Sequence, residues 1–409
     1  VLLVANHPNS LLDPILVLAA ARRDVRFLAK APLFADPNTA WLMRLGAAIP
    51  VHRASDDPSK MADNAAMFRA VHQALASGDA VGLFPEGISH AAPAMAPLRT
   101  GAARMALGAA ALVGGGFPVV PVGLTLRERD IFRSEARVVI GAPVTWDDLA
   151  LRGTDDADAV RELTARIAAA LAGVTLNLEH WEDEPLVHTA VRVWEAERGV
   201  LPDAAERVGR LAVTTRILAA IRAHQDAGDG EVVRAVAEHQ RRLTRMRLRP
   251  VDLVADVGWW RSASWAARRL PFVLPVWLLF GVVGWLLFLL PYQLTGMIVG
   301  RVSLEADTRS TWKFLVGGAL YLIWVIGLAV AAGLTWNLWA ALSVLVAVPM
   351  VGMAGLLVRE RWRGAWDDVR RFALLRGRRR LLDMLRAEQR ALADRLDGLF
   401  QRHSSGTPL

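Results

Sequence analysis

The sequence predicts an α/β domain, a mixed sheet flanked by helices, followed by a helical region with membrane-embedded apolar helices. Three observations lead there. Over residues 1–145 short apolar runs alternate with helical stretches. From Trp146 to about Asp256 the pattern turns helical and charged. Three uncharged apolar runs then follow, each close to the roughly 20 residues that cross a bilayer.

The strand-like runs come in order as VLLVAN (1–6), DVRFLAK (24–30), GAAIPVH (46–52), AVGLFPEG (80–87), FPVVPVGLTL (117–126) and ARVVIGAP (136–143). They are short and rich in branched aliphatics, as buried strands are. Between them MADNAAMFRAVHQALAS (61–77) has helical periodicity, and VRELTARIAAALAGV (160–174) repeats it beyond the last strand. DAGDG (226–230) is a break in the charged helical section. The chain opens in mid-strand without an initiator Met, so further segments are expected before Val1.

The apolar runs are 271–291, 314–333 and 337–358. In a large soluble protein each could be a buried core helix, but Arg and Trp at their borders favour membrane insertion. Arg301, Arg309 and Lys313 precede the second run and Arg359, Arg361 and Arg363 follow the third, while 334–336 has no charge. Positive-inside logic makes 314–333/337–358 a transmembrane hairpin with both ends cytoplasmic, which puts the preceding α/β domain on that face. The first run has basic flanks on both sides, and Pro271, Pro275, Gly281, Gly284 and Pro291 allow it to bend back as a re-entrant segment. The expected divisions are therefore 1–145, 146–260, 261–358 and a basic amphipathic helix at 359–409. In that last helix Leu382, Leu385, Gln389, Leu392, Leu396 and Leu399 form a heptad seam, either for a homo-oligomer or for packing on the helix's own domain.

The net charge of the 409 residues is +8 and rests almost wholly on arginine. Because it gathers at membrane borders, and no aromatic–basic platform is visible, nucleic acid is not an expected partner; membrane lipids are. The chain has no cysteine, which excludes disulfides, thiolate metal sites and an acyl-cysteine intermediate.

Chemistry begins at the first strand's end, where His7 is followed by Asp13. Ser10-Leu-Leu-Asp13 fits a capping box, so a helix is expected from Ser10 with Asp13 in its first turn. The carboxylate can then turn back to His7 Nδ1 and leave Nε2 as a base. No serine completes a triad, so the pair suits activation of a substrate hydroxyl. Ser89 and His90 in GISHA do not form a nucleophile elbow. His180 and His188 among Glu182, Asp183 and Glu184 match no metal-ligand spacing, and no metal site is expected.

With these residues in view, the chain resembles the membrane-associated glycerolipid acyltransferases, the family of glycerol-3-phosphate and 1-acylglycerol-3-phosphate acyltransferases. Four blocks carry the likeness in order: Asn6-His7 with Asp13, GAAIPVHR ending at Arg53, Phe84-Pro85-Glu86-Gly87, and VVPVGL around Pro121. Two departures stand out. Five residues separate His7 from Asp13 where the family usually has four, and the extra one is expected in the Pro8-Asn9 loop. After Gly87 the chain reads Ile-Ser-His where many members have Thr-Arg-Ser.

The resemblance implies acyl transfer from a thioester donor, acyl-CoA or acyl-carrier protein, to a phosphorylated glycerol-type acceptor, with no further cofactor. It implies His7 as general base and Asp13 as its orienting partner. Arg53 would grip the acceptor's phosphate, with Lys30 and Arg99 as further cations, each otherwise a solvated surface charge. Glu86 would contact the acceptor or brace its loop, and Gly87 would allow close backbone approach. Backbone N–H groups near Gly87 are candidates for the oxyanion hole. Another lysophospholipid acceptor, or a lipid-binding scaffold without turnover, are the alternatives.

Overall fold

The structure is a computed structural model, and it describes residues 1–52, 64–126, 134, 136–178, 183–198, 231–246, 248–254, 275, 277–302, 308–377 and 379–404. They fall into two compact units. The first comprises Val1–Asp183 together with 308–311, and the second holds the remaining described residues.

The first unit is built on a six-stranded sheet ordered β3-β2-β4-β1-β5-β6. Its strands are β1 (Leu2–Ala5), β2 (Val25–Lys30), β3 (Ile49–Val51), β4 (Ala80–Leu83), β5 (Val119–Leu126) and β6 (Ala136–Ile140). The first five are parallel and β6 pairs antiparallel to β5, so the sheet is mixed as the sequence predicts. All six expected strands are present, each shorter than its apolar run or equal to it. Both faces of β1 are buried. Leu2 and Val4 pack with Met67, Val71, Leu107, Leu163 and Ile167, whereas Ala5 packs on the opposite face with Val17, Phe27 and Val122. Double burial explains why this strand reads as a continuous apolar run without alternation.

The helices covering the first face are α4 (Asn64–Ala76), α5 (Gly101–Val113) and α6 (Ala157–Val174); α1 (Leu12–Ala21) covers the second. The short α2 (Pro32–Ala35) and α3 (Pro37–Leu45) lead from β2 to β3. Asp156 caps α6 by accepting the N–H groups of Asp158 and Ala159, both at 3.0 Å. The helix then lays Leu163, Ile167 and Leu171 onto the sheet core. The compact unit continues past residue 145 to Asp183. The change to a charged helical pattern at Trp146 marks a helix with one wet face, and Trp146 itself is buried in the core.

The second unit is helical: α7 (Asp183–Arg198), α8 (Glu231–Met246), α9 (Pro250–Val254), α10 (Val283–Gly300), α11 (Arg309–Thr335), α12 (Leu338–Gly377) and α13 (Arg379–Ser404), with Asp183 and 309–311 at the starts of α7 and α11 belonging to the first unit. Three helical segments, Leu279–Gly300, Arg309–Thr335 and Leu338–Glu360, are long and apolar enough to cross a membrane. The first contains the described part of the run expected to bend back. It is helical from a π-turn at Trp277–Val282 straight through Gly284 and Pro291 to Gly300, and it does not bend back at Pro291. Proline cannot donate to the carbonyl four residues earlier, which here is Leu287. The indole N–H of Trp324 donates to that carbonyl at 2.9 Å and so replaces the missing bond. Glycines bring α10 close to α12: a Cβ on Gly284 would lie 3.1 Å from the Val351 carbonyl, and one on Gly355 would lie 2.6 Å from that of Phe280.

The first part of the seam on α13 packs within the chain. Leu382 and Leu385 pack with Leu243, Leu248 and Leu253. Gln389, fully buried, donates to Glu197 at 2.7 Å and lies 3.3 Å from His239. Of the two readings of the heptad, the structure forms the packing on the helix's own domain. The arginines that flank the first run on its amino side, Arg261, Arg268 and Arg269, lie outside the described residues, as do the side chains of Arg361 and Arg363.

Candidate active site

The parallel strands all deliver their carboxyl ends to one edge of the sheet, the edge where α/β proteins assemble their sites. β1 and β4 are neighbours, with Val4 opposite Leu83. The residues that follow them, Asn6-His7 and Phe84-Pro85-Glu86, therefore emerge side by side. Asn6 fixes the exit of β1. Its side-chain N–H donates to Leu124 O at 3.0 Å and its Oδ1 accepts from Leu124 N at 2.7 Å, so it prolongs the ladder with β5 by one rung.

His7 and Asp13 meet as the sequence predicts. His7 Nδ1 lies 2.8 Å from Asp13 Oδ2; the carboxylate is fully buried and the imidazole is 11% exposed. An ionised carboxylate can only accept, so Nδ1 carries the proton and Nε2 presents its lone pair. Among the described residues Nε2 has no partner. Phe84 fixes the ring from its face, with centroids 3.9 Å apart and planes at 8°. Phe27 lies beyond Phe84 at 5.7 Å, in space left by Gly82.

The loop between His7 and Asp13 departs from expectation. Helix α1 starts at Leu12, not Ser10, and its N-terminus has no side-chain cap. Ser10 sits at φ 41° and Leu12 N–H closes a turn on Asn9 O at 3.1 Å, which absorbs the additional loop residue. Asp13 Oδ2 accepts a second N–H, from Asn9 at 2.6 Å, so the carboxylate organises the loop as well as the imidazole. Segment 308–311 completes this loop from 300 residues away: Thr311 Oγ1 accepts from Leu11 N at 3.3 Å, and Ser310 Oγ bonds Asn9 Oδ1.

Glu86 is 3% exposed and has partners on both oxygens. Oε1 accepts from His7 N at 2.9 Å, and Oε2 meets His90 Nε2 and Ala96 N, each at 2.6 Å. Of the two roles expected for it, bracing the loop is the one whose contacts are present. Gly87 adopts φ 74°, and a Cβ there would come within 2.7 Å of Arg99 Nε. Its N–H donates to Phe84 O at 3.0 Å and is not available to an oxyanion. Arg99 is exposed, anchored by its own N–H on Pro85 O at 2.8 Å, and its guanidinium has no ion-pair partner among the described residues.

Lys30 ends β2 opposite Val51, at the same sheet edge. Arg53 lies outside the described residues. Its neighbour His52 is tied to Asn64 by two reciprocal bonds of 2.9 and 2.8 Å, which fixes the exit of β3. His188 lies 3.7 Å from Glu184 on α7, and His180 is outside the described residues.

Sequence reasoning assigned no role to Phe84, Asn9, Ser89, His90 or Ser310. Two local steps carry a pairing, Glu86 to His90 and Asn9 to Asp13; the contacts of Phe84, Ser89 and Ser310 with residues 7–10 join residues far apart in the chain.

Known proteins are similar to the part of the chain that carries this site. Residues 1–125 match the family model described as Acyltransferase. The similar curated proteins include two glycerol-3-phosphate O-acyltransferases. Glycerol-3-phosphate O-acyltransferase 2 of Saccharomyces cerevisiae is 34% identical over 143 residues, covering 34% of this chain and 19% of that protein. Glycerol-3-phosphate O-acyltransferase 1 of the same yeast is 31% identical over 137 residues, covering 32% and 18%. The chain thus spans about a fifth of the length of these curated relatives. No solved structure matches.

Proposed function

We propose that this chain is a membrane-bound O-acyltransferase that moves a fatty acyl group from acyl-CoA or acyl-carrier protein to a hydroxyl of glycerol 3-phosphate. Dihydroxyacetone phosphate and 1-acylglycerol 3-phosphate are the related acceptors. The observation that carries the reading is the 2.8 Å His7–Asp13 pair at the carboxyl edge of the sheet, with no partner on Nε2 among the described residues. The dyad closes despite its longer spacing, which supports turnover over a scaffold role.

The chemistry follows from these groups. His7 Nε2 takes the proton of the acceptor hydroxyl while the oxygen attacks the thioester carbonyl. Asp13 stabilises the imidazolium that forms. The tetrahedral intermediate collapses, the C–S bond breaks, and the thiolate leaves with the proton that His7 returns. No acyl-enzyme is required, because the thioester is already activated. General-base help of this kind contributes about 10²–10⁴-fold; positioning of the acceptor must supply much of the rest. Arg99 is the described cation best suited to a phosphate, with Lys30 at the same edge and Arg53 beyond the fixed end of β3. Three helices fit to cross a membrane support work at a lipid surface, where the acyl chain and product need not enter water. The arginine flanks favour its cytoplasmic face.

The test is thiol release by purified protein in detergent, given a long-chain acyl thioester and each acceptor in turn. Turnover with glycerol 3-phosphate is the expected result. Lipid binding without thiol release from any acceptor would refute the proposal.

A further inference from the structure

Segment Glu86–His90 grips the catalytic loop along its main chain. Glu86 Oε1 accepts the N–H of His7, the N–H of His90 donates to the carbonyl of His7 at 3.2 Å, and Ser89 Oγ accepts the N–H of Ser10 at 3.0 Å. The peptide that carries the candidate base is thus held on both sides, and the residue with positive φ is held as well.

His90 decides whether Glu86 can do this. Ala92 N–H donates to His90 Nδ1 at 3.2 Å, so Nδ1 is the acceptor and the proton of the neutral ring lies on Nε2. That proton is donated to Glu86 Oε2 at 2.6 Å. A carboxylate this deeply buried needs its donors, and without them it relaxes away from its place. Both ring nitrogens of His90 are committed within the protein, which leaves no lone pair for a substrate.

We infer that His90 is a positioning residue for acyl transfer, acting through Glu86 on the main chain of His7. It keeps the His7 ring between Asp13 and Phe84, with Nε2 aimed at the acceptor hydroxyl. Ser89 and His90 stand where the chain departs from Thr-Arg-Ser, and they hold the loop that carries the additional residue before Asp13. The two departures are therefore parts of one arrangement. This inference rests on the acyl-transfer reading.

Two substitutions separate the bonds of His90 in the full chain. His90→Gln places an amide N–H where Nε2 was and keeps the bond to Glu86, but it loses the acceptor for Ala92. His90→Asn keeps that acceptor and is too short to reach Glu86. Misplacement of a reacting group by about 1 Å can cost roughly 10²-fold, so His90→Asn is expected to lower kcat about 10- to 100-fold while the acceptor KM stays within about twofold. His90→Gln is expected to retain most of the wild-type kcat. Thermal unfolding of each variant shows whether both are folded. The inference is overturned if both variants lose kcat equally, if neither does, if Gln is the impaired one, or if the loss lies in KM alone. A wild-type protein without turnover would instead remove the acyl-transfer reading, and this inference with it.

Discussion

Phe84 lies flat against His7, ring centroids 3.9 Å apart and planes 8° from parallel. The contact exists because β1 and β4 run side by side and release one aromatic ring each at the same level. It also depends on a residue that touches neither substrate nor base. Gly82 leaves the space that Phe27 fills, and Phe27 in turn backs Phe84.

Gly82→Ala should therefore damage the site from below. The new Cβ would stand 2.5 Å from the Phe27 ring, so the stack must shift. Overpacking of this kind costs about 1–3 kcal/mol. The expected outcome is a lower unfolding midpoint together with a fall in kcat. An unaltered kcat in folded Gly82→Ala would show that the stack does not position His7.

The Trp324–Leu287 bond predicts a rescue. Trp324→Phe leaves the Leu287 carbonyl without its donor inside an apolar helix pair, at a cost of roughly 0.5–2 kcal/mol. Adding Pro291→Ala restores the helical N–H that Leu287 lacks and should recover the loss. Thermal unfolding in detergent of the single and double variants checks this. A double variant less stable than Trp324→Phe alone would refute it.

Acid should weaken the sheet unit through His72. Burial holds this imidazole below its ordinary range, against a smaller opposing contribution from the Arg104 backbone, and its Nε2 is buried without a hydrogen bond. The unfolded chain therefore binds a proton more readily than the folded one. Stability is fully present above the ordinary imidazole pKa, about 6.5, and is lost as pH falls through the lower folded value. His239 is shifted in the same direction, chiefly by burial, and adds to the effect in the second unit. The unfolding midpoint should drop between pH 7.5 and pH 5, and His72→Gln should shrink that drop. An equal drop in the variant would assign the acid sensitivity elsewhere.

How much of this was legible in the sequence depends on where each interaction lies. The six strands were readable because a parallel sheet buried on both faces leaves unbroken apolar runs. The His7–Asp13 pair was readable because its partners lie six residues apart, at the two ends of one short loop. Ser10 was misread, because a capping pattern ignores the turn at Asn9–Leu12 that an additional residue makes possible. The continuity of α10 through Pro291 was hidden, since the compensating donor comes from another helix. The grip of Glu86, Ser89 and His90 on residues 7–10 was invisible for a related reason. Its bonds run to main-chain atoms, which carry no sequence signature, and they join residues 79 apart or more.

The central claim is that His7, oriented by Asp13, removes the proton from the acceptor hydroxyl. The most direct measurement is single-turnover thiol release by folded His7→Ala and Asp13→Asn, with glycerol 3-phosphate and a long-chain acyl thioester. The account predicts that the rate falls about 10²–10⁴-fold in His7→Ala and falls strongly in Asp13→Asn. Thiol release from His7→Ala at the wild-type rate would contradict it.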